Sequence, residues 1–171
     1  DTIILPVGEQ TKSFVELEKL INKLLSSQPE RHDMLIALGG GVVGDITGFA
    51  ASILLRGVDF IQIPTTLLAM VDSSVGGKTG INTPYGKNLV GCFYQPKLVL
   101  AGVALLTSLP EREFLAGYAE VVKYWLIGAG TYLDEDEVHL LWDNTLGDVK
   151  NNPQLLCELI RICCRIKADI V

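Results

Sequence analysis

Histidine is nearly absent from this chain. Two histidines, His32 and His139, stand far apart, and both read as structural or surface residues. The four cysteines, Cys92, Cys157, Cys163 and Cys164, include no Cys-x-x-Cys spacing. A local zinc knuckle or a disulfide framework is therefore disfavoured, and reduced, partly buried thiols of a cytoplasmic protein are expected. No apolar run is long and charge-free enough to span a bilayer, and no basic segment followed by an apolar one opens the chain as a secretory leader would. Basic residues are outnumbered, 14 Lys and Arg against 20 Asp and Glu, for a net charge of -6. Nucleic acid and anionic membrane, which favour a basic face, are excluded as main partners. There is no Gly-x-Ser-x-Gly elbow and no Cys–His nucleophile pattern.

What is present is a globular composition of 171 residues, 49% of them apolar, enough to bury a core. The chain opens at Asp1 in the middle of a strand-like run without an initiator Met and stops at Val171 inside a helical pattern. It reads as an internal piece of a longer protein. Thr2 to Leu5 reads as a strand and Pro6 to Lys12 as a loop. Ser13-x-x-Glu16 fits a capping box that opens a helix with Phe14, Leu17, Leu20, Ile21 and Leu24 on one face. Met34 to Leu38 reads as a strand buried on both faces. Val42 to Leu55 reads as a tightly packed helix and Phe60 to Ile63 as the next strand. Strand, glycine turn, helix and strand make a βαβ unit and favour an open parallel sheet. Lys97 to Val103 reads as strand or extended chain. Helices are expected over 114–127, 134–142 and 153–171, with a domain boundary near Ser108.

Two segments carry chemistry. Gly39-x-Gly41-x-x-Gly44 fits the dinucleotide fingerprint between a strand and a helix, where backbone N–H groups meet a pyrophosphate. The acidic residue that holds a ribose some 20 positions on is out of place, because Asp59 starts its strand rather than ending it. A nucleotide on this turn competes with a turn kept glycine-rich for close packing. Asp45 either accepts from a ligand hydroxyl or offsets the helix dipole. The second segment, Pro64 to Gly91, is rich in Gly, Ser, Thr and Lys and reads as a loop that holds an anion. Gly77-Lys78-Thr79 looks like the end of a P-loop, but Asp72 stands where the first Gly is needed, and an NTPase is rejected. Lys78, Lys87 and Asn88 remain a set of phosphate donors, and Arg56 is either a further contact or an ordinary surface residue. Glu120 and Lys123 share one face of an apolar helix, as a solvated stripe or as a site. Asp134 to Glu137 reads as a solvated helix start.

LGGGVVGDITGFAAS, LRGVDFIQIPTTLLAMVDSSVGGKTGIN, PYGKNLVGCFYQP and LPEREFLAGYAEVVKYWLI together resemble the 3-dehydroquinate synthase family, over essentially the whole chain. The resemblance implies an α/β fold. A Rossmann-like nucleotide-binding domain, incomplete at its N-terminus, would occupy residues 1–108, and the start of an α-helical metal and substrate domain would occupy 109–171. It implies a lyase that turns 3-deoxy-D-arabino-heptulosonate 7-phosphate (DAHP) into 3-dehydroquinate and phosphate in the shikimate pathway, with NAD and a divalent zinc or cobalt ion. NAD would lie against Gly8, Glu9, Lys12, Gly40, Gly41, Val42, Val43, Gly44, Asp45, Thr65 and Thr66, with Thr107 and Ser108 nearby and Lys78 and Lys87 in reach. Asp72, Lys78, Lys87, Asn88 and Lys123 would hold the substrate. Arg56 would reach the phosphate bound by the neighbouring subunit of a homodimer, and Glu120 would be the first metal ligand. The family's other ligands are histidines in a later Gly-His-rich segment, so this chain is expected to lack a complete metal site and to be inactive alone. The alternatives are another NAD-dependent sugar-phosphate cyclase, a glycerol-dehydrogenase-like oxidoreductase, and a plain nucleotide-binding or dimerisation module.

Overall fold

Helix α1 (Phe14–Ser26) starts where Ser13 Oγ accepts the Glu16 amide at 3.4 Å, and it buries Leu17 and Leu20. The computed structural model describes residues 1–128 and 130–171 and divides them into two compact units. The first holds Asp1–Pro64 and Gly77–Leu100. Strand β1 (Met34–Gly39), helix α2 (Gly41–Ile53) and strand β2 (Asp59–Pro64) form the expected βαβ unit. The two strands pair in parallel from Met34↔Asp59 to Gly39↔Pro64. After a hairpin of β3 (Lys78–Thr83) and β4 (Gly86–Phe93), β5 (Leu98–Val99) returns to the free edge of β2, giving the order β1-β2-β5.

Small residues on α2 let it lie close to the hairpin. A Cβ on Gly48 would stand 2.5 Å from Thr79 Cγ2. Ile46, Ala50 and Ile81 close one core with Leu17 and Leu20, and Ala51, Leu54, Val58 and Phe60 form a second. Phe60 stacks on Tyr94 at 5.8 Å between ring centres.

Three expectations need correction here. Among the described residues, 2–5 pair with no strand, although Ile3 and Leu5 pack against the first core. Strand β1 is not buried on both faces. Met34, Ile36 and Leu38 point away from α2 and are 44%, 62% and 60% exposed, because a helix covers only one side of the sheet. Pro64 to Gly91 is not a loop: it folds as a helical segment, residues 67–73, followed by the β3–β4 hairpin. Its glycines are used in pairing, since a Cβ on Gly91 would collide with the Thr79 carbonyl oxygen.

The second unit holds Thr65–Gly76 and Ala101–Val171 and is helical. It contains a π-helical turn, Ala69–Ser73, then α3 (Glu111–Gly128), α4 (Glu135–Trp142), α5 (Leu146–Asn151) and α6 (Pro153–Ile170). Complete capping boxes start α4 at Asp134 and α5 at Thr145, and Asn152 with Pro153 starts α6. Leu67, Met70, Val71, Phe114, Val121, Trp125, Leu159, Ile162, Cys163 and Ile166 make the core. Residues 101–108, which the sequence groups with the first domain, contribute Leu106 to this core. Among the described residues, no helix is long and apolar enough to cross a membrane.

Candidate functional site

In the first unit the glycine turn sits where the sequence places it. Gly40 is the N-cap of α2 and offers no side chain to the first turn, which leaves those N–H groups for other acceptors. Behind the turn, Gln62 of β2 is 5% exposed, and its Oε1 has no hydrogen-bond partner among the described residues. Its amide would lie 3.1 Å from a Cβ on Gly44, so any larger residue there would push on it.

Lys12 is the electrostatic centre of this unit. It is 4% exposed, and a buried ammonium is tolerable only with partners. Its Nζ donates at 2.5 Å to Asp45 Oδ2 on α2 and at 2.5 Å to Asn88 Oδ1 on β4. Asp45 therefore does more than offset a dipole: it anchors a lysine 33 positions earlier in the chain. Glu9 joins through Asn82, whose Nδ2 donates to Glu9 Oε1 at 2.8 Å. Gly8 precedes Glu9 with φ +109, a left-handed turn that suits glycine. An open cleft of about 430 Å³ runs past Glu9, Lys12, Phe14 and Asn82.

Lys78 follows Gly77, at φ +67, and leads into β3 rather than a helix, which removes any P-loop geometry. Lys78 and Lys87 are exposed. Arg56, also exposed, has φ +69 directly after Leu55 at φ +49. Two consecutive non-glycine residues in the left-handed region are strained, and such strain gathers at functional positions.

In the second unit Asp72 is the focus. Its Oδ1 accepts from Lys167 Nζ at 2.7 Å and from the Tyr124 hydroxyl at 3.0 Å, while Lys167 also reaches the Asp72 carbonyl at 2.5 Å. Burial opposes the charged carboxylate, but the bonds from Lys167 and Tyr124 and the charge of Lys123 outweigh it, holding the pKa below the ordinary range. Burial, then the bond to Asp72, pushes the Tyr124 hydroxyl up, so it stays a donor. Glu120 and Lys123 pair with each other on α3. Thr66 Oγ1 accepts the Ala69 amide at 3.2 Å and starts the helical segment. Thr107 and Ser108 turn their hydroxyls onto the carbonyls of Ala104 and Leu105. The cysteines are free thiols, and burial raises Cys163 and Cys164, which keeps both un-ionised.

The fold thus gathers Glu9, Lys12, Asp45 and Asn88 in one network, while Asp72 stands among Lys123, Tyr124 and Lys167. Sequence reasoning missed Lys167 and Tyr124 and also Asn82, which joins Glu9 to Asn88. Lys167 had one available signal, a lysine one step after Ile166 in a strongly apolar helix face. Asn82 and Tyr124 had none, since an Asn before a turn and a Tyr among apolar residues are unremarkable locally. Among the described residues, no group of three or more His, Cys, Asp or Glu side chains is placed to hold a metal ion. Glu120 by itself does not make a metal centre.

A parallel sheet with a glycine turn opening its helix, backed by a lysine held between Asp and Asn, places the molecule among the Rossmann-like α/β folds. Solved structures agree. 2-Deoxy-scyllo-inosose synthase complexed with carbaglucose-6-phosphate, NAD+ and Co2+ superposes with a TM-score of 0.82 at 32% identity, over 96% of this chain and 43% of that one. 2-epi-5-epi-Valiolone synthase from Streptomyces hygroscopicus, with NAD+ and Zn2+ bound, gives 0.78 at 26% identity over 96% and 45%. Residues 2–116 match the 3-dehydroquinate synthase N-terminal model. A 3-dehydroquinate synthase of Rhodospirillum rubrum is 66% identical over 139 residues, 81% of this chain and 36% of that protein. The chain belongs to the 3-dehydroquinate synthase family, and the matched stretch spans about a third of the length of that relative.

Proposed function

We propose that the protein carrying this chain is a 3-dehydroquinate synthase, a lyase that releases phosphate from DAHP and closes the remaining carbons into a ring. Family membership carries this reading, and the Lys12–Asp45–Asn88 cluster behind the glycine turn supports it. In this reading the substrate is oxidised at a secondary alcohol, loses phosphate by elimination, is reduced again, and reacts with itself in an aldol step. NAD, when bound, supplies the reversible hydride acceptor.

The uncapped first turn of α2, with Gly40, Gly41, Val42, Val43 and Gly44, fits a pyrophosphate, and the unpartnered Gln62 oxygen behind it suits a site made for a polar guest. Gly8, Glu9, Lys12 and Asp45 complete the cofactor contacts of the first unit. Exposed Lys78 and Lys87, with Asn88, neutralise and orient the substrate's phosphate and carboxylate. In the second unit Thr65, Thr66, Thr107 and Ser108 serve the cofactor, and Lys123 supplies charge to the substrate. Asp72, kept ionised by Lys167 and Tyr124, accepts hydrogen bonds from substrate hydroxyls. Arg56 serves the neighbouring subunit of a homodimer, which accounts for its strained backbone. Glu120 provides one ligand to a divalent metal whose other ligands lie outside these residues, and no step is drawn through it. The working compartment is the cytoplasm, where the free thiols remain reduced.

The test is phosphate release from DAHP by the full-length protein with NAD and zinc. Lys78→Ala and Glu120→Ala should each lower kcat/KM by about 100-fold or more, the loss typical of removing a group that stabilises developing charge. No release by a folded, NAD-bound protein would point to a cyclase for another sugar phosphate, the reading that the likeness to 2-deoxy-scyllo-inosose synthase keeps open.

A further inference from the structure

Asn82 lies on β3, two residues before the β3–β4 turn, and is bonded at both ends of its side chain and at its backbone N–H. Its Nδ2 donates to Glu9 Oε1 at 2.8 Å, its Oδ1 accepts the backbone N–H of Asn88 at 2.9 Å, and its own N–H donates to the Lys12 carbonyl at 2.8 Å. One side chain and its amide therefore tie the Glu9–Lys12 segment to Lys87–Asn88, an irregular stretch of β4 where the ladder shifts register. Asn88 lies across the hairpin, six residues on, but Glu9 is 73 residues away in sequence, where no local structure would hold it. That stretch of β4 needs holding. Asn88 sits in the left-handed region at φ +56, a conformation that costs free energy unless its surroundings fix it. The same Asn88 side chain accepts from buried Lys12, so its placement also sets where the Lys12 charge stands.

We propose that Asn82 is a positioning residue that sets cofactor and substrate contacts together. It acts through Glu9 and Lys12 on the NAD side and through Asn88 and its neighbour Lys87 on the substrate side. The inference rests on the reading given under Proposed function for those four residues. An isosteric change distinguishes it from a role in folding alone. In Asn82→Asp the Oδ1 acceptor for Asn88 is retained, but a carboxylate faces Glu9. Adding Glu9→Gln turns that repulsion into a hydrogen bond of reversed polarity.

The experiment measures the Kd for NAD by calorimetry, and kcat and KM for DAHP by phosphate release, in the full-length protein. Asn82→Ala should raise both Kd and KM about tenfold, the effect of losing two hydrogen bonds, with a smaller change in kcat. Asn82→Asp should raise Kd, and the same substitution should cost less in a Glu9→Gln background than in the wild type. If Asn82→Ala folds poorly, Asn82→Asp decides alone. Kd and KM within twofold of wild type in a folded variant, or equal costs in the two backgrounds, would overturn the proposal. If the wild-type protein binds NAD but releases no phosphate, the functional reading fails while the NAD arm still decides the role of Asn82.

Discussion

Asp72 shows how one residue's environment sets both its charge and its worth. Its folded-state pKa lies below the ordinary 3.8, so the charged form stabilises the fold above that pH. The contribution fades as pH falls through the lower folded value. An asparagine in place of the aspartate would leave Lys167 without its anionic partner at every pH. Asp72→Asn should therefore cost about 1–2 kcal/mol at pH 7. That figure is discounted from fully buried pairs because the Asp72 side chain is 37% exposed and water screens it. The gap between variant and wild type should narrow as pH falls below 3.8 and through the lower folded value, where the wild-type carboxylate is itself neutralised. Urea denaturation at pH 7 and pH 3 measures this, and an equal gap at both would show that Lys167 gains nothing from the charge. At this scale the sequence revealed residue types better than partners. Asp72 could be singled out from its motif, but Lys167 lies 95 positions away, and no periodicity links such a pair.

Among the elements, helices were the most legible. Ser13, Asp134 and Pro153 each mark an end that the structure keeps within about one residue, because capping is a local interaction. The β3–β4 hairpin was hidden. Lys78–Thr83 and Gly86–Phe93 lack clean alternation and carry the glycines of a loop, yet those glycines permit two strands to approach where side chains would collide. The short α5 was overlooked for the opposite reason: six residues give no period to read. Gly117 of α3 offers a test of such close approach. A Cβ there would stand 2.5 Å from the Leu68 amide nitrogen and 2.6 Å from Leu67 Cβ, and backbone cannot give way as a side-chain tip can. Gly117→Ala should destabilise the protein by about 1–3 kcal/mol despite its better helix propensity. A melting temperature at or above wild type would mean that α3 shifts freely.

At the scale of the whole chain, one face of β1 is apolar and uncovered. Met34, Ile36 and Leu38 alternate outward, and Leu98 on β5 is 51% exposed. Parallel strands are ordinarily covered on both faces, and apolar surface left in water binds other apolar surface. The 171-residue chain alone should enhance the fluorescence of an apolar dye and self-associate. The pair Ile36→Lys and Leu38→Lys should suppress both, since charges on that face oppose association. Sedimentation velocity of the two proteins checks it, and a monomeric wild type that binds no dye would refute it.

The second unit takes residues 65–76 from between two stretches of the first, so neither unit is one continuous length of chain. This has a consequence for synthesis. Once residue 100 has left the ribosome, every part of the first unit has been made, whereas Asp72 must wait for Lys167, 95 residues later. At about 5–20 residues per second that wait lasts roughly 5–20 seconds. During it Leu67, Met70 and Val71, all fully buried in the finished protein, lack the α6 side chains that complete their core. A nascent chain stalled between residues 100 and 160 would thus display an apolar segment flanked by folded structure, a natural place for a chaperone to hold.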